Sequence, residues 1–176
     1  TYFASIGLPL EEPLIEILYN NGYKSATDPI FIQSFETENL QKISQLTNLP
    51  LIQLLENSGQ PFDLVIKGDR RTYHDLTKPQ ELAKIAEYAA GIGPNKQMII
   101  PVDSDGKLLS PTSLIADAHA AGLLVHPYTF RNEKQYLAPD YNQKPEAEYE
   151  QFFNLGVDGL FTDFPNTALT VIQRMW

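Results

Sequence analysis

The chain has 176 residues, 43% hydrophobic and 20% charged, a composition that excludes a disordered or low-complexity polymer. Its formal charge of −9, from 13 Lys and Arg against 22 Asp and Glu with no basic run, argues against nucleic acid or an anionic membrane surface as a partner. With no cysteine there is neither a disulfide nor a thiolate metal site, and no stretch approaches the roughly 20 apolar residues of a membrane span.

Helical and strand periods alternate along the chain. Residues 9–22 place Leu10, Leu14, Ile17 and Leu18 at helical spacing, with Gly22 as the stop. The run 30–35, Ile-Phe-Ile-Gln-Ser-Phe, reads as a buried strand. Residues 36–48 return to helix with Leu40, Ile43 and Leu46 on one side, and 50–55 form a second strand. Residues 56–78 are irregular and read as a long loop. A helix is predicted over 79–90, a very short strand over 89–94, and a hairpin over 98–109 around Asp103-Ser104-Asp105-Gly106. Helix 111–121, strand 122–130, helix 145–155, strand 157–164 and helix 165–175 complete the chain. Such alternation implies an α/β fold with a parallel sheet, compatible with the end of a (β/α)8 barrel or with a doubly wound open sheet. Residues 1–176 are expected to be one piece of one domain. Thr1 is not followed by a basic and then an apolar segment, which leaves export open.

The predicted strands begin apolar and end in groups that can contact a ligand: Gln33, Ser34 and Phe35, then Gln53 toward Glu56, then Gly93-Pro94, then His126, Tyr128 and Arg131, and last Thr162 and Asp163. In parallel α/β folds the loops at the C-terminal strand ends converge, so this gradient points to one shared site. His126 and Tyr128, two apart, share a face. They either line a pocket or are core residues bonded to backbone. Asp163 either faces a ligand or caps the last helix ahead of Pro165. Arg131 either binds phosphate or is solvated. His74, with Arg70 and Arg71, reads as surface, and His119 as structural. Asp103-Ser104-Asp105-Gly106 is no EF-hand, because its twelfth position is Leu114. Gly91-Ile92-Gly93 is no dinucleotide fingerprint, because the third glycine is absent.

Three motifs, Ile32-Gln33-Ser34-Phe35, Val125-His126-Pro127-Tyr128-Thr129-Phe130-Arg131 and the run from Gly156 through Thr162-Asp163-Phe164-Pro165, resemble the last strands of glycerophosphodiester phosphodiesterases. The His-Pro-Tyr-Thr version, together with Tyr88-Ala89-Ala90-Gly91-Ile92-Gly93-Pro94, is similar to a larger bacterial branch, often exported, and its plant relatives. The resemblance implies the C-terminal portion, about five βα units, of a TIM-like (β/α)8 barrel. It also implies hydrolysis of glycerophosphodiesters to glycerol 3-phosphate and an alcohol.

That chemistry uses two histidines, one in a His-Arg-Gly motif, and a divalent cation, Ca or Mg, held by three carboxylates. Neither His-Arg-Gly nor the family's Glu-x-Lys motif occurs here, so the cation is expected to be bound by residues outside this chain, and the isolated segment is expected to be inactive. What carries over is a substrate wall: Gln33, Phe35 and Tyr128, with His126, Arg131 and Asp163. Two unpaired sheet edges imply that the rest of the barrel, or a second copy, closes the fold. A non-catalytic barrel relative that binds glycerol phosphate is the alternative, and a phospholipase of related fold ranks below it because the loops are polar.

Overall fold

Four short strands, β1 (Ile32–Ser34), β2 (Leu51–Leu55), β3 (Gly91–Pro94) and β4 (Leu124–Val125), lie parallel in chain order in the computed structural model, which describes Phe3 and residues 6–176. Parallel neighbours need crossover connections. Helix α1 (Glu11–Asn20) precedes β1, and α2 (Thr37–Ser44) links β1 to β2. Helices α3 (Phe62–Lys67), α4 (Tyr73–Leu76) and α5 (Pro79–Ile85) link β2 to β3, and α6 (Leu114–Ala120) links β3 to β4. Helices α7 (Pro145–Leu155) and α8 (Pro165–Met175) follow.

Register sorts the side chains into two faces. Gln33 lies opposite Ile52, Ile52 opposite Gly91, and Gly91 opposite Leu124. With a period of two, Ile32, Leu51, Leu55, Ile92 and Val125 share the other face, where they join Leu40, Ile43, Leu82, Ile85, Ala118, Tyr149 and Phe152 in one core beneath the helices. Burying a side chain of this size contributes about 1.5–3 kcal/mol. Gln53 is fully buried on that face without being orphaned. Its amide donates to the carbonyls of Ser34, Phe35 and Leu54 at 3.1–3.2 Å and its oxygen accepts from Tyr88 Oη at 2.9 Å, so it ties the ends of β1 and β2 together. On the inner face the glycines of β3 admit no side chain: a Cβ on Gly93 would lie 2.6 Å from Leu54 Cδ2, and one on Gly91 2.6 Å from the Leu124 carbonyl oxygen.

The parallel order matches expectation, while several elements differ from it. Segment 157–164 is no regular strand. Val125 N–H donates to the Asp158 carboxylate at 2.8 Å and Pro127 has no N–H, so two ladder donors facing this segment are lost. It still runs beside β4 through the bonds Asp158 N to Val125 O, Phe161 N to Pro127 O and Phe130 N to Phe161 O, and through a parallel bridge between Phe130 and Thr162. The hairpin expected over 98–109 shrinks to one antiparallel bridge, Val102 to Leu108, because a 3-10 turn at Lys96–Met98 uses the start of its first strand. The loop 56–78 holds α3 and α4. Helix α4 is set by a reciprocal capping box between Thr72 and Asp75, and α3 by buried Asp63, whose Oδ2 accepts from Thr37 N, Thr37 Oγ1 and Glu38 N at 2.7–3.0 Å.

Candidate active site

The parallel strands bring four polar or aromatic groups to one end of the sheet, the end at which each strand terminates. Phe35, just past β1, meets Tyr128, beyond β4, edge-to-face at 6.0 Å between ring centroids, and meets Tyr73 at the start of α4 at 6.1 Å. Such contacts hold aromatic rings in fixed orientation. The Tyr128 hydroxyl donates to Leu55 O at 3.0 Å and to Glu56 Oε2 at 3.2 Å. Glu56 Oε1 in turn accepts from Asn57 N at 2.7 Å and from Asn95 Nδ2 at 2.9 Å, so one carboxylate after β2 pins residues that follow β3 and β4. Burial first, and then the adjacent Glu56 charge, push the Tyr128 phenol well above its ordinary value, which keeps it a neutral donor. Phe35 itself stays about 38% exposed.

The predicted wall residues divide by depth. Gln33 and Phe35 line a recess of about 430 Å³ with Ser34 and Glu36 at the end of β1, Leu54 of β2, and Leu10 and Glu11 at the start of α1. His126 lies one layer below Tyr128, its ring 5.0 Å from that of Phe31 and 6.5 Å from that of Phe161, with Gly159 so close that a Cβ there would sit 3.0 Å from the imidazole. Burial lowers its pKa, with Asp158 pulling weakly the other way, so the ring is neutral at pH 7. Its side chain has no hydrogen bond among the described residues, so it serves as part of the aromatic floor.

Arg131 and Asp163 are brought together rather than left free. Arg131 Nε lies 3.0 Å from Asp163 Oδ2, its guanidinium also pairs with Glu133, and its carbon rests 4.6 Å over the Tyr136 ring. Asp163 does not cap the last helix: the cap position is Phe164, whose N–H is held by Thr162 Oγ1 at 2.9 Å. His74 bonds the Asn57 carbonyl at 3.0 Å, and His119 pairs with Asp158 at 2.9 Å on the far side of β4. Glu56, Tyr73 and Asn95 were not among the wall residues expected from sequence. Glu56 and Asn95 each stand immediately past a strand, the position that marks them.

Among the described residues no three His, Asp or Glu side chains gather closely enough to hold a metal ion. Glu56, the carboxylate of the mouth, has both oxygens engaged in hydrogen bonds. These residues alone therefore do not fit a divalent cation. No helix among the described residues is long and apolar enough to cross a membrane.

A sequence model of the Glycerophosphoryl diester phosphodiesterase family matches residues 9–167. The chain belongs to this family. It is 40% identical over 166 residues to the glycerophosphodiester phosphodiesterase GDPD6 of Arabidopsis thaliana, covering 90% of this chain and 43% of the relative. To the glycerophosphodiester phosphodiesterase of Haemophilus influenzae it is 26% identical over 179 residues, covering 95% and 48%. The fold matches the crystal structure of a candidate glycerophosphoryl diester phosphodiesterase from Silicibacter pomeroyi DSS-3 with a TM-score of 0.60 at 18% identity, over 93% of this chain and 43% of that one. A similar protein from Agrobacterium tumefaciens gives 0.55 at 20% identity over 97% and 55%. The chain thus spans about half the length of the glycerophosphodiester phosphodiesterase relatives it matches, and its parallel sheet is a partial barrel of their kind.

Proposed function

We propose that this chain forms the substrate-side wall of a metal-dependent phosphodiesterase that hydrolyses glycerophosphodiesters to glycerol 3-phosphate and an alcohol. In that reaction a water oxygen bonds to phosphorus, the bond from phosphorus to the alcohol oxygen breaks, and the alcohol leaves with a proton. The observation that carries the reading is the fixed pair of Phe35 and Tyr128 at the strand ends, in a chain of this family. Phe35 and the Tyr128 ring pack on the glycerol carbons, and Gln33 on the inner face of β1 hydrogen-bonds a glycerol hydroxyl.

The divalent cation, calcium or magnesium, would take its ligands from residues outside this chain and would supply charge stabilisation at the phosphate. Arg131 is already countered by Glu133 and Asp163, so it orients the rim rather than acting as a free phosphate-binding cation. The chain's histidines are His74, His119 and His126, none followed by Arg-Gly, so general acid and base come from elsewhere. Strand β1, which pairs only with β2 among the described residues, supports closure by further barrel strands or by a second copy.

The test is the release of glycerol 3-phosphate from glycerophosphocholine with calcium or magnesium present. The chain alone gives none. A chimera in which this chain replaces the aligned residues of the Arabidopsis relative gives turnover. Turnover by the chain alone, or a folded chimera with none, contradicts the reading.

A further inference from the structure

Past the end of β1 the backbone that carries Phe35 is fixed by side chains. Gln53 Nε2 donates to Phe35 O at 3.2 Å, and Ser34 Oγ accepts from Glu36 N at 3.1 Å. Asp63 Oδ2 accepts from Thr37 N at 3.0 Å, from Glu38 N at 2.7 Å and from the Thr37 hydroxyl at 2.8 Å. The Asp63 contacts come from a distant part of the chain. Tyr73 N donates to Gly59 O at 3.1 Å, so residues 59–73 leave and return to the same point, with α3 between. Compact loops whose ends meet in this way are frequently functional. Asp63 of this loop grips the backbone two residues beyond Phe35, while Tyr73 at its close meets the Phe35 ring edge-to-face at 6.1 Å. Backbone and ring are thus set from one loop.

Helix α2 starts without a cap of its own. Glu36 stands at the cap position and makes no side-chain cap bond. Ser, Thr, Asn or Asp at position 36 would have bound the first amides locally. Instead a carboxylate only 3% exposed binds them, and its Oδ1 is, among the described residues, a buried atom without a hydrogen-bond partner. Burying a carboxylate with one oxygen unsatisfied is unfavourable, so stability alone does not favour this arrangement over a local cap. What it adds is geometry. Glu36 is left to line the recess beside Gln33, Ser34 and Phe35, and that rim is tied to the loop 59–73.

We propose that Asp63 is a positioning residue of the diesterase: through the first turn of α2 it sets the Phe35 ring against the substrate, without touching the substrate itself. The inference rests on the diesterase reading and adds to it a residue that stands at no strand end. A side chain displaced by roughly 1 Å from its productive place is enough to slow an enzyme measurably.

A double-mutant cycle on kcat/KM for glycerophosphocholine tests this, in the chimera with the Arabidopsis relative and with calcium or magnesium present. Asp63→Ala is expected to lower kcat/KM about fivefold in the parent background. In the Phe35→Ala background the same substitution should lower it by less than about twofold, because the group through which Asp63 acts is gone. Its effect on the unfolding midpoint should be equal in both backgrounds. Asp63→Asn, which keeps an acceptor oxygen for the α2 amides, should stay within about twofold of the parent. If Asp63→Ala does not fold, Asp63→Ser, whose hydroxyl stops short of those amides, takes its place in the cycle. A merely structural Asp63 would lower the midpoint and leave kcat/KM per folded enzyme unchanged. That result, an equal fall in both backgrounds, or an Asp63→Asn variant as slow as Asp63→Ala overturns the positioning role, while a fall on Phe35→Ala alone keeps the diesterase reading. If Phe35→Ala alone changes nothing, or the folded chimera turns nothing over, the diesterase reading fails and the positioning role with it.

Discussion

The two faces of the sheet are built on opposite rules. The helix-covered face is closed: Leu40, Ile52's neighbours Leu51 and Gln53, Leu55, Leu82 and Val125 are at most 2% exposed, and its one amide side chain is fully bonded. The inner face carries glycines at β3, a neutral histidine among aromatic rings, and Phe31 and Phe35 that are 45% and 38% exposed. Packing sets stability on the first face, while the second gives up burial to keep aromatic surface and hydrogen-bonding groups at the strand ends. Mutations on the two faces should therefore separate stability from binding.

The largest expected effect is on the closed face. Phe152→Ala removes a ring that stacks edge-to-face on Phe130 at 4.9 Å, and should cost about 3–5 kcal/mol in urea unfolding. A cost below about 1 kcal/mol would mean that this layer is not the core. Next, Gln53→Ala strands the Tyr88 hydroxyl and loosens the β1 end, at about 1–3 kcal/mol by the same measurement. Sequence already hinted that position 53 was special, but not that it faced inward to the helices.

A smaller effect separates the faces by pH. The folded pKa of His126 is depressed by burial, so the unfolded chain takes up its proton first on acidification. Stability from this group is complete above the unfolded value near 6.5 and is lost as pH falls through it, by at most about 1.4 kcal/mol per pH unit. Urea midpoints measured from pH 7 down to about pH 5 should fall in the wild type and fall less in His126→Asn. Equal slopes would show that His126 is not the buried neutral ring described here. The smallest stability effect belongs to Phe35→Ala, expected at no more than about 1 kcal/mol because the residue is already 38% exposed.

Sequence periodicity revealed the parallel order and the helices because apolar spacing there is dictated by one buried face. It failed where side chains replace backbone partners. Segment 157–164 looks like a strand in composition, but the Asp158 carboxylate takes the Val125 N–H that a strand would have used. In the loop 56–78, polar residues looked like solvent-facing ones and are instead bonded to each other, as Arg71 is to Asp69 and Glu81. The positions of Gln33, Phe35 and Tyr128 at or just past strand ends could be read from sequence. The pairing that consumes the Arg131 charge could not, because Glu133 and Asp163 reach it through a loop turn and a neighbouring segment.

The most direct measurement is kcat/KM for glycerophosphocholine by the chimera carrying Phe35→Ala, compared with its parent, alongside the unfolding midpoint of each. Loss of substrate contact at a strand-end aromatic predicts a fall of about tenfold or more, equivalent to about 1.4 kcal/mol, with the midpoint nearly unchanged. An unaltered kcat/KM, with the protein equally stable, would show that the Phe35 and Tyr128 pair does not face the substrate.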